Sequence, residues 1–369
     1  MWIYENKKWP NFIWDSKKLT SKLADVRYRQ GHLLGRMESL EIELKREESL
    51  SVITNDIVKS SAIEGENLNP KEVRSSVARN LEIKLENQIP SSKNVDGVVD
   101  MMVDATQNFS QPLTDERLFR WHSALFPTKK SGTRNIETGR WRTDKNGRMQ
   151  VVSGPIGRQK VHFEAVRAEN IDEEIKLFLE WIENKDNLDP IIKAAIGHFW
   201  FVTIHPFDDG NGRICRAISD MLLARADENK LRCYSMSSQI EKDRDSYYIN
   251  LEMHQRGTLD ITGWILWFLN CLGKAINNAD KKLNNIFITE EFWKKINKDP
   301  VNNRQKLIIN KMLSDNFKGF INTSKYAKLA NCSNDTALRD ITELKTRKIF
   351  IQNPGRGRST SYRLAEKIE

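Results

Sequence analysis

A mainly helical chain, with one β-hairpin and a smaller basic module at its C-terminus, is predicted by three observations. Apolar residues recur at helical spacing through most of the first 280 positions. The strand-like runs before that point are few and short, and two of them flank Gly154-Pro155-Ile156-Gly157, a hairpin signal. A fresh helical pattern then starts at Arg304 and closes on two more strand-like runs. At 369 residues the chain has room for two or three domains with their own cores. No internal repeat or low-complexity tract interrupts it.

Taken in order, Trp2, Tyr4, Trp9, Phe12 and Trp14 form an aromatic lead segment expected to pack onto a larger body. A long helical pattern covers Ser16 to Ile63, with a break expected near Glu47–Ser51. Gly65, Asn67, Asn69 and Pro70 stop it. Residues 71–110 read as two helices around a polar loop at 88–94. Thr114 caps a helix running to Ala124, and 128–147 read as an ordered surface loop. After the hairpin strands, Met149–Ser153 and Lys160–Phe163, Asn170 caps a helix over Ile171–Asn184. Asp189-Pro190 is a strong helix start. The helix it opens, Ile191–Ile204, is apolar almost all round and so belongs at the centre of a domain. Further helices are expected at Arg213–Ala226, Ser246–Met253 and Ile261–Ile276, followed by a charged, Asn-rich connector.

Composition excludes several classes. No apolar run approaches the ~20 residues of a membrane span, and the N-terminal residues lack a signal-peptide core and cleavage site. The four cysteines are scattered without a Cys-x-x-Cys pair, so a cytoplasmic setting with free thiols is expected. Charge is uneven. Residues 301–369 hold 14 Lys and Arg against 6 Asp and Glu, which is +8 of the chain's net +9. An acidic partner for this tail and a merely solvated lysine surface explain that equally well.

The chemistry concentrates at 205–216, His-Pro-Phe-Asp-Asp-Gly-Asn-Gly-Arg-Ile-Cys-Arg. His205, between a buried helix and Pro206, is a positioned imidazole whose ordinary pKa of ~6.5 suits a general base. Gly210, Asn211 and Gly212 allow a tight turn at a helix N-terminus, where converging N–H groups bind anions. Arg213 and Arg216, three apart on that helix, can reach further phosphate oxygens. Asp208 or Asp209 could hold Mg²⁺ against the same phosphates. Phe207 is expected to turn inward. The site is therefore one that holds a polyphosphate against a proton acceptor.

This stretch resembles the Fic family signature, His-x-Phe-x-(Asp/Glu)-Gly-Asn-Gly-Arg-x-x-Arg, at every defined position. The similarity extends over roughly 110–275, including Leu113–Phe126, Gly139-Arg140-Trp141-Arg142 and the hairpin. The resemblance implies a Fic-like helical core with a β-hairpin flap, and transfer of AMP from ATP to a protein hydroxyl. It assigns His205 as the base that deprotonates a serine, threonine or tyrosine, and Asp209 as the Mg²⁺ ligand with Asp208 solvated. ATP would be held across Gly210, Asn211, Gly212, Arg213, Ile214, Cys215 and Arg216, the last at the γ-phosphate. Gly212 sets the chain apart from the Doc-like branch, which carries Lys there and phosphorylates. Gln150, Val151, Val152 and Ser153 match the flap that holds a target by strand addition. Tyr248, of the pair Tyr247-Tyr248, would stack on adenine. Gln255 stands where some relatives have Asn against the base, a departure that keeps amide chemistry.

Ser60-Ser61-Ala62-Ile63-Glu64-Gly65 is similar to the family's inhibitory pattern, (Ser/Thr)-x-x-x-Glu-(Gly/Asn). Through Ser60, Glu64 and Gly65 it implies a brake in which Glu64 takes Arg216 from the γ-phosphate. In some relatives that glutamate also helps remove AMP.

The tail reads as helix Arg304–Ser314, helix Thr323–Ala330, turn, helix Asp335–Lys345, strand Ile349–Asn353, loop Pro354–Thr360 and strand Ser361–Leu364. This order resembles a winged helix-turn-helix, with a wing at Pro354-Gly355-Arg356-Gly357-Arg358. Its recognition-like helix carries only Arg339 and Lys345 as cations beside Asp335, Asp340 and Glu343. That favours protein docking or dimerisation over DNA. The resulting reading is a regulatory helical region over 1–95, a Fic core over 96–280, a connector over 281–303 and the tail module over 304–369. As a whole it describes a self-inhibited protein adenylyltransferase acting on an unidentified protein. Two alternatives stand beside it. One is AMP removal or other nucleotidyl transfer at the same site. The other is a DNA-binding regulator with a nucleotide-sensing core. A homodimer through the aromatic lead and the tail is compatible with the sequence, and no membrane partner is expected.

Overall fold

The computed structural model describes residues 1–145, 147–154, 158–185, 187–296, 300–314, 317–354 and 360–365. Two compact units divide the chain, Met1–Ala279 and Asp280–Glu369. The first is built almost wholly from helices.

At the centre of the first unit stand α7 (Pro190–Ile204) and α8 (Asn211–Asp227). Thirteen residues of α7 are buried, as an all-round apolar surface requires. Its start is fixed as expected: the Asp189 side chain accepts from the Ile191 N–H, and Pro190 occupies the first turn. Around this pair lie α4 (Lys93–Gln107), α5 (Asp115–Leu125) and α6 (Ile171–Glu183). Thr114 caps α5 by accepting from the Arg117 N–H. The Trp264 indole of α11 (Thr262–Ile296) donates to the Ala195 carbonyl at 2.7 Å.

The N-terminal region joins this unit through α1 (Ser16–Glu38), α2 (Ile42–Ile63) and α3 (Pro70–Asn80). The break between α1 and α2 falls at Ser39–Glu41, not at Glu47–Ser51. Glu48, Ser49 and Leu50 are buried inside α2, and the stretch has no Gly or Pro to end a helix. The aromatic lead is not exposed. Trp9 and Phe12 pack edge-on against Trp200, while Trp2 and Tyr4 pack against Phe163.

Three further expectations are corrected. Asn170 ends a short 3-10 turn and makes no side-chain cap. The loop at 128–147 contains a minimal antiparallel pair, β1 (Lys130–Ser131) and β2 (Arg134–Asn135). An additional helix, α9 (Met236–Lys242), precedes α10 (Arg244–His254), capped by Ser235. The expected hairpin is present as β3 (Gln150–Ser153) paired antiparallel with β4 (Lys160–Glu164). Pro155-Ile156-Gly157 of its turn lie outside the described residues.

In the chain, α11 runs on to Ile296, well past the expected Ile276, because Leu283, Phe292 and Ile296 continue a buried helical stripe with no breaker. The second unit adds α12 (Asn303–Leu313), α13 (Thr323–Ala330), α14 (Asn334–Thr346) and the antiparallel pair β5 (Phe350–Gln352) and β6 (Tyr362–Leu364). Its core gathers Ile308, Ile309, Tyr326, Ile341, Leu344 and Phe350. Asp340, on α14, is buried and accepts from Asn302, Arg304 and Tyr326, so it belongs to the interior of the unit. Gly355, Arg356, Gly357 and Arg358 lie outside the described residues.

Candidate active site

Helix α7 ends in a residue that ordinary side chains rarely supply. His205 takes a left-handed conformation, φ 54° and ψ 58°, and terminates α7 while turning its ring toward a cavity of about 590 Å³. Its Nδ1 lies 3.2 Å from the Val202 carbonyl. A carbonyl only accepts, so Nδ1 carries the hydrogen and Nε2 keeps the lone pair a base needs. Burial pushes the imidazole down to about 4, against the Val202 carbonyl, which favours the charged form; nearby Arg142 lowers it further. The ring is thus neutral at pH 7 but a weaker base than its ordinary pKa implies.

The loop after His205 is braced from two sides. Asn211 Oδ1 accepts from the Phe207 N–H at 2.9 Å and its Nδ2 donates to the Phe207 carbonyl at 2.8 Å. The amide of Asn211 is consumed in this clasp, so only its backbone N–H can serve an anion. Arg142, 3% exposed, donates from Nε to the His205 carbonyl at 2.8 Å and from its backbone to the Pro206 carbonyl at 2.9 Å. It also donates to the Val166 carbonyl and pairs with Asp144. Phe207 turns inward as expected and stacks on His122 at 4.1 Å.

Gly210, at φ +79°, caps α8 without a side chain. A Cβ there would meet the Phe126 ring at 2.9 Å, so the position admits only glycine. The first N–H groups of α8 therefore point out of the helix with no side-chain cap from Gly210, the geometry of an anion site. Gly210, Asn211 and Gly212 line the cavity. Ile214 and Cys215 do not, because both are fully buried in the core beneath the loop. Their expected contact with a nucleotide does not reach beyond the backbone.

Both arginines are occupied. Arg216, 1% exposed, pairs with Glu64 at 2.8 Å and donates to the Ser60 hydroxyl at 2.9 Å and the Ser60 carbonyl at 2.8 Å. The Glu64 carboxylate holds this guanidinium well above its ordinary pKa although burial acts the other way. Arg213 pairs with Glu66 at 2.7 Å and lies over the Phe126 ring. Even so, Arg216 Nη1 and Arg213 Nε are buried without a hydrogen-bond partner. Glu64 ends α2, and Gly65, at φ +83°, turns the chain away behind it. A Cβ on Gly212 would lie 2.1 Å from Glu64 Oε1, so Gly212 is also what lets the carboxylate reach Arg216.

Asp209 accepts from the Gly210 N–H at 2.5 Å and from the Ser131 hydroxyl. Asp208 lines the cavity and accepts weakly from the Glu137 N–H at 3.4 Å, so it is less free in solvent than expected. Among the described residues no three His, Cys, Asp or Glu groups cluster as a metal site. A single carboxylate, Asp209, beside a helix N-terminus without a side-chain cap still fits Mg²⁺, which commonly takes one or two carboxylates plus substrate phosphates and keeps its waters.

The tyrosine pair divides. Both line the cavity, but Tyr247 is buried, its hydroxyl 2.9 Å from His198 Nε2, while Tyr248 is exposed with Arg244 over its ring. Gln255 also lines the cavity and donates to Thr203 Oγ1 at 3.3 Å. From the flap, Val151, Val152 and Ser153 reach the cavity, whereas Gln150 donates to Glu164 of β4. His122, Glu66 and Ser131 had no role in the sequence reading, and Arg142 entered it only as part of the stretch Gly139-Arg140-Trp141-Arg142. Of the first three, Glu66 left a signal, as a second acid two positions after Glu64.

An imidazole ends one buried helix and a glycine-rich N-terminus opens the next, the arrangement expected from the Fic-like signature. Comparison agrees. Residues 112–223 match the family described as Fic/DOC, and residues 2–83 match a domain of unknown function, DUF4172. Residues 112–223 thus carry a Fic/DOC domain. It is similar to protein adenylyltransferase fic-1 of Caenorhabditis elegans, 35% identical over 82 residues, 22% of this chain and 15% of that protein. Protein adenylyltransferase Fic of Nematostella vectensis is 32% identical over 111 residues, 30% of this chain and 24% of its own. The matches thus span less than a quarter of these relatives' length. Among solved structures, a Fic family protein from Desulfovibrio desulfuricans G20 superposes with a TM-score of 0.53 at 20% identity, covering 94% of this chain and 96% of its own. A Fic domain containing signaling protein from Bacteroides thetaiotaomicron VPI-5482 gives 0.53 at 16% identity, with 70% and 97% covered.

Proposed function

We propose that the protein is a self-inhibited adenylyltransferase that moves AMP from ATP to a serine, threonine or tyrosine hydroxyl of another protein. The observation that carries this is the Glu64–Arg216 pair, seated over Gly212 beside the open N-terminus of α8. The two orphaned guanidinium nitrogens, Arg213 Nε and Arg216 Nη1, supply donors that phosphate oxygens would satisfy. His205 Nε2 takes the proton of the target hydroxyl, and its oxygen attacks the α-phosphate with pyrophosphate leaving. The helix N-terminus and the arginines stabilise charge on the transferring group. Asp209 would hold Mg²⁺, which supplies charge neutralisation at the phosphates. Tyr248 and Gln255 would meet the adenine, and the flap residues Gln150 to Ser153 would hold the target strand.

With Glu64 on Arg216, the γ-phosphate loses its partner and the α-phosphate sits out of line. A misplacement of ~1 Å can cost ~100-fold in rate. The 304–369 module is read as a winged helix-turn-helix that docks protein. Its acidic residues and the engagement of Lys345 by Gln352 leave α14 poor in cations for DNA. A cytoplasmic setting accords with four unpaired cysteines.

The type of transfer is tested by labelling ATP at one phosphate at a time. Incorporation into protein is expected from α-labelled ATP and none from γ-labelled ATP, with His205→Ala abolishing transfer to targets. Incorporation of the γ-label would indicate phosphorylation instead.

A further inference from the structure

A second chain of reactive side chains faces the cavity from the flap. Ser153 Oγ, on β3, lies 2.6 Å from His162 Nε2, on β4, and His162 Nδ1 lies 2.6 Å from Glu252 Oε2, on α10. All three line the cavity that contains His205 and the α8 N-terminus. The Glu252 carboxylate accepts, so the ring hydrogen sits on Nδ1 and Nε2 is the nitrogen open to the serine proton. The order is nucleophile, base and orienting acid. Ser153 is exposed, as an acceptor must be.

The backbone contributes to this placement. Val151 pairs with Phe163 but Val152 pairs with Val161, so the register shifts and His162 is left without a partner in the ladder. Such bulges re-aim a side chain. Here the displaced residue bridges the end of β3 to α10. Arg256 at 3.5 Å and Lys160 at 3.9 Å flank Glu252 from the other side.

We propose that Ser153 is an AMP acceptor within the protein itself, with His162 as its general base and Glu252 as the positioning residue. The proposal rests on the AMP-transfer reading for its donor, ATP. Ser153 Oγ forms a bond to the α-phosphorus as the bond from that phosphorus to the α,β-bridging oxygen breaks. Pyrophosphate leaves with the electron pair, and the serine proton passes to His162 Nε2. The product is a serine–AMP phosphodiester on the strand that would present a target, so the modification limits further transfer.

Two measurements test this. The first needs no nucleotide: a fluorophosphonate probe, whose phosphorus a serine attacks with loss of fluoride, is reacted with the full chain and mapped by tandem mass spectrometry. Labelling at Ser153 is expected, slowed ~100-fold by His162→Gln and less by Glu252→Gln. An unlabelled Ser153, or equal labelling in His162→Gln, overturns the relay. The second incubates the Glu64→Gly protein with ATP and maps AMP. AMP on Ser153 that persists in Glu64→Gly/His205→Ala and is lost in Glu64→Gly/His162→Gln supports the proposal. AMP on other residues but never on Ser153, or AMP on Ser153 that requires His205 and not His162, overturns it. Absence of AMP from every protein contradicts the adenylyltransferase reading instead, while the probe still decides the relay.

Discussion

Gly212 is where the residue scale decides most. A methyl group there would overlap Glu64 Oε1, and Glu64 reaches Arg216 only because it is absent. The same glycine was legible in the sequence for another reason, as the position that separates Fic-like from Doc-like signatures. The double use was not legible, because spacing along a chain does not show which distant carboxylate arrives. The same limit hid Glu66 on Arg213 and Arg142 on the His205 carbonyl, both contacts between segments far apart in sequence. Replacing Glu64 leaves a buried guanidinium with Ser60 as its remaining partner. Glu64→Gly is therefore expected to be less stable than wild type without ligand, by up to about 3 kcal/mol, below the full buried-pair penalty because Glu64 is a third exposed. ATP should restore more stability to the variant than to wild type, since a phosphate can replace the lost carboxylate. Urea midpoints with and without ATP check both statements.

At the scale of elements, the helices that carry the site follow from local signals. Asp189-Pro190 opens α7, His205-Pro206 closes it, and Gly210 opens α8, so the imidazole and the glycine-rich turn are set by punctuation readable in one dimension. What failed were boundaries without punctuation. The break between α1 and α2 sits at Ser39–Glu41, where no Gly or Pro marks it, and α11 passes its expected end because nothing stops it. The register shift in β3–β4 left no trace either, since a bulge is settled by what the displaced side chain meets. The cap on α7 gives a prediction at this scale. Asp189 accepts from the Ile191 N–H and pairs with Arg27 at 3.0 Å. Asp189→Ala is expected to lower unfolding free energy by about 1–2 kcal/mol, read as a shift of the urea midpoint at unchanged slope.

Across the whole molecule, acid is the condition that acts on the buried interior of the first unit. Burial holds His122 and His205 down to about 4 and His198 to about 3. The unfolded chain takes up these protons near ~6.5, whereas the fold takes them up only at the lower values. Stability present above pH 6.5 is thus lost progressively as pH falls from 6.5 through 4. Denaturant unfolding at pH 7.5, 5.5 and 4.5 should show a steady fall, and a flat profile would mean these rings already bind protons in the fold. Under the proposed function, one carboxylate of the N-terminal region, Glu64, restrains the same interior by holding Arg216. The rate of AMP incorporation from α-labelled ATP by the wild-type protein and by Glu64→Gly decides whether it does. Incorporation by Glu64→Gly is expected to be faster than by wild type by a factor on the order of 100. Equal rates in the two proteins would contradict it.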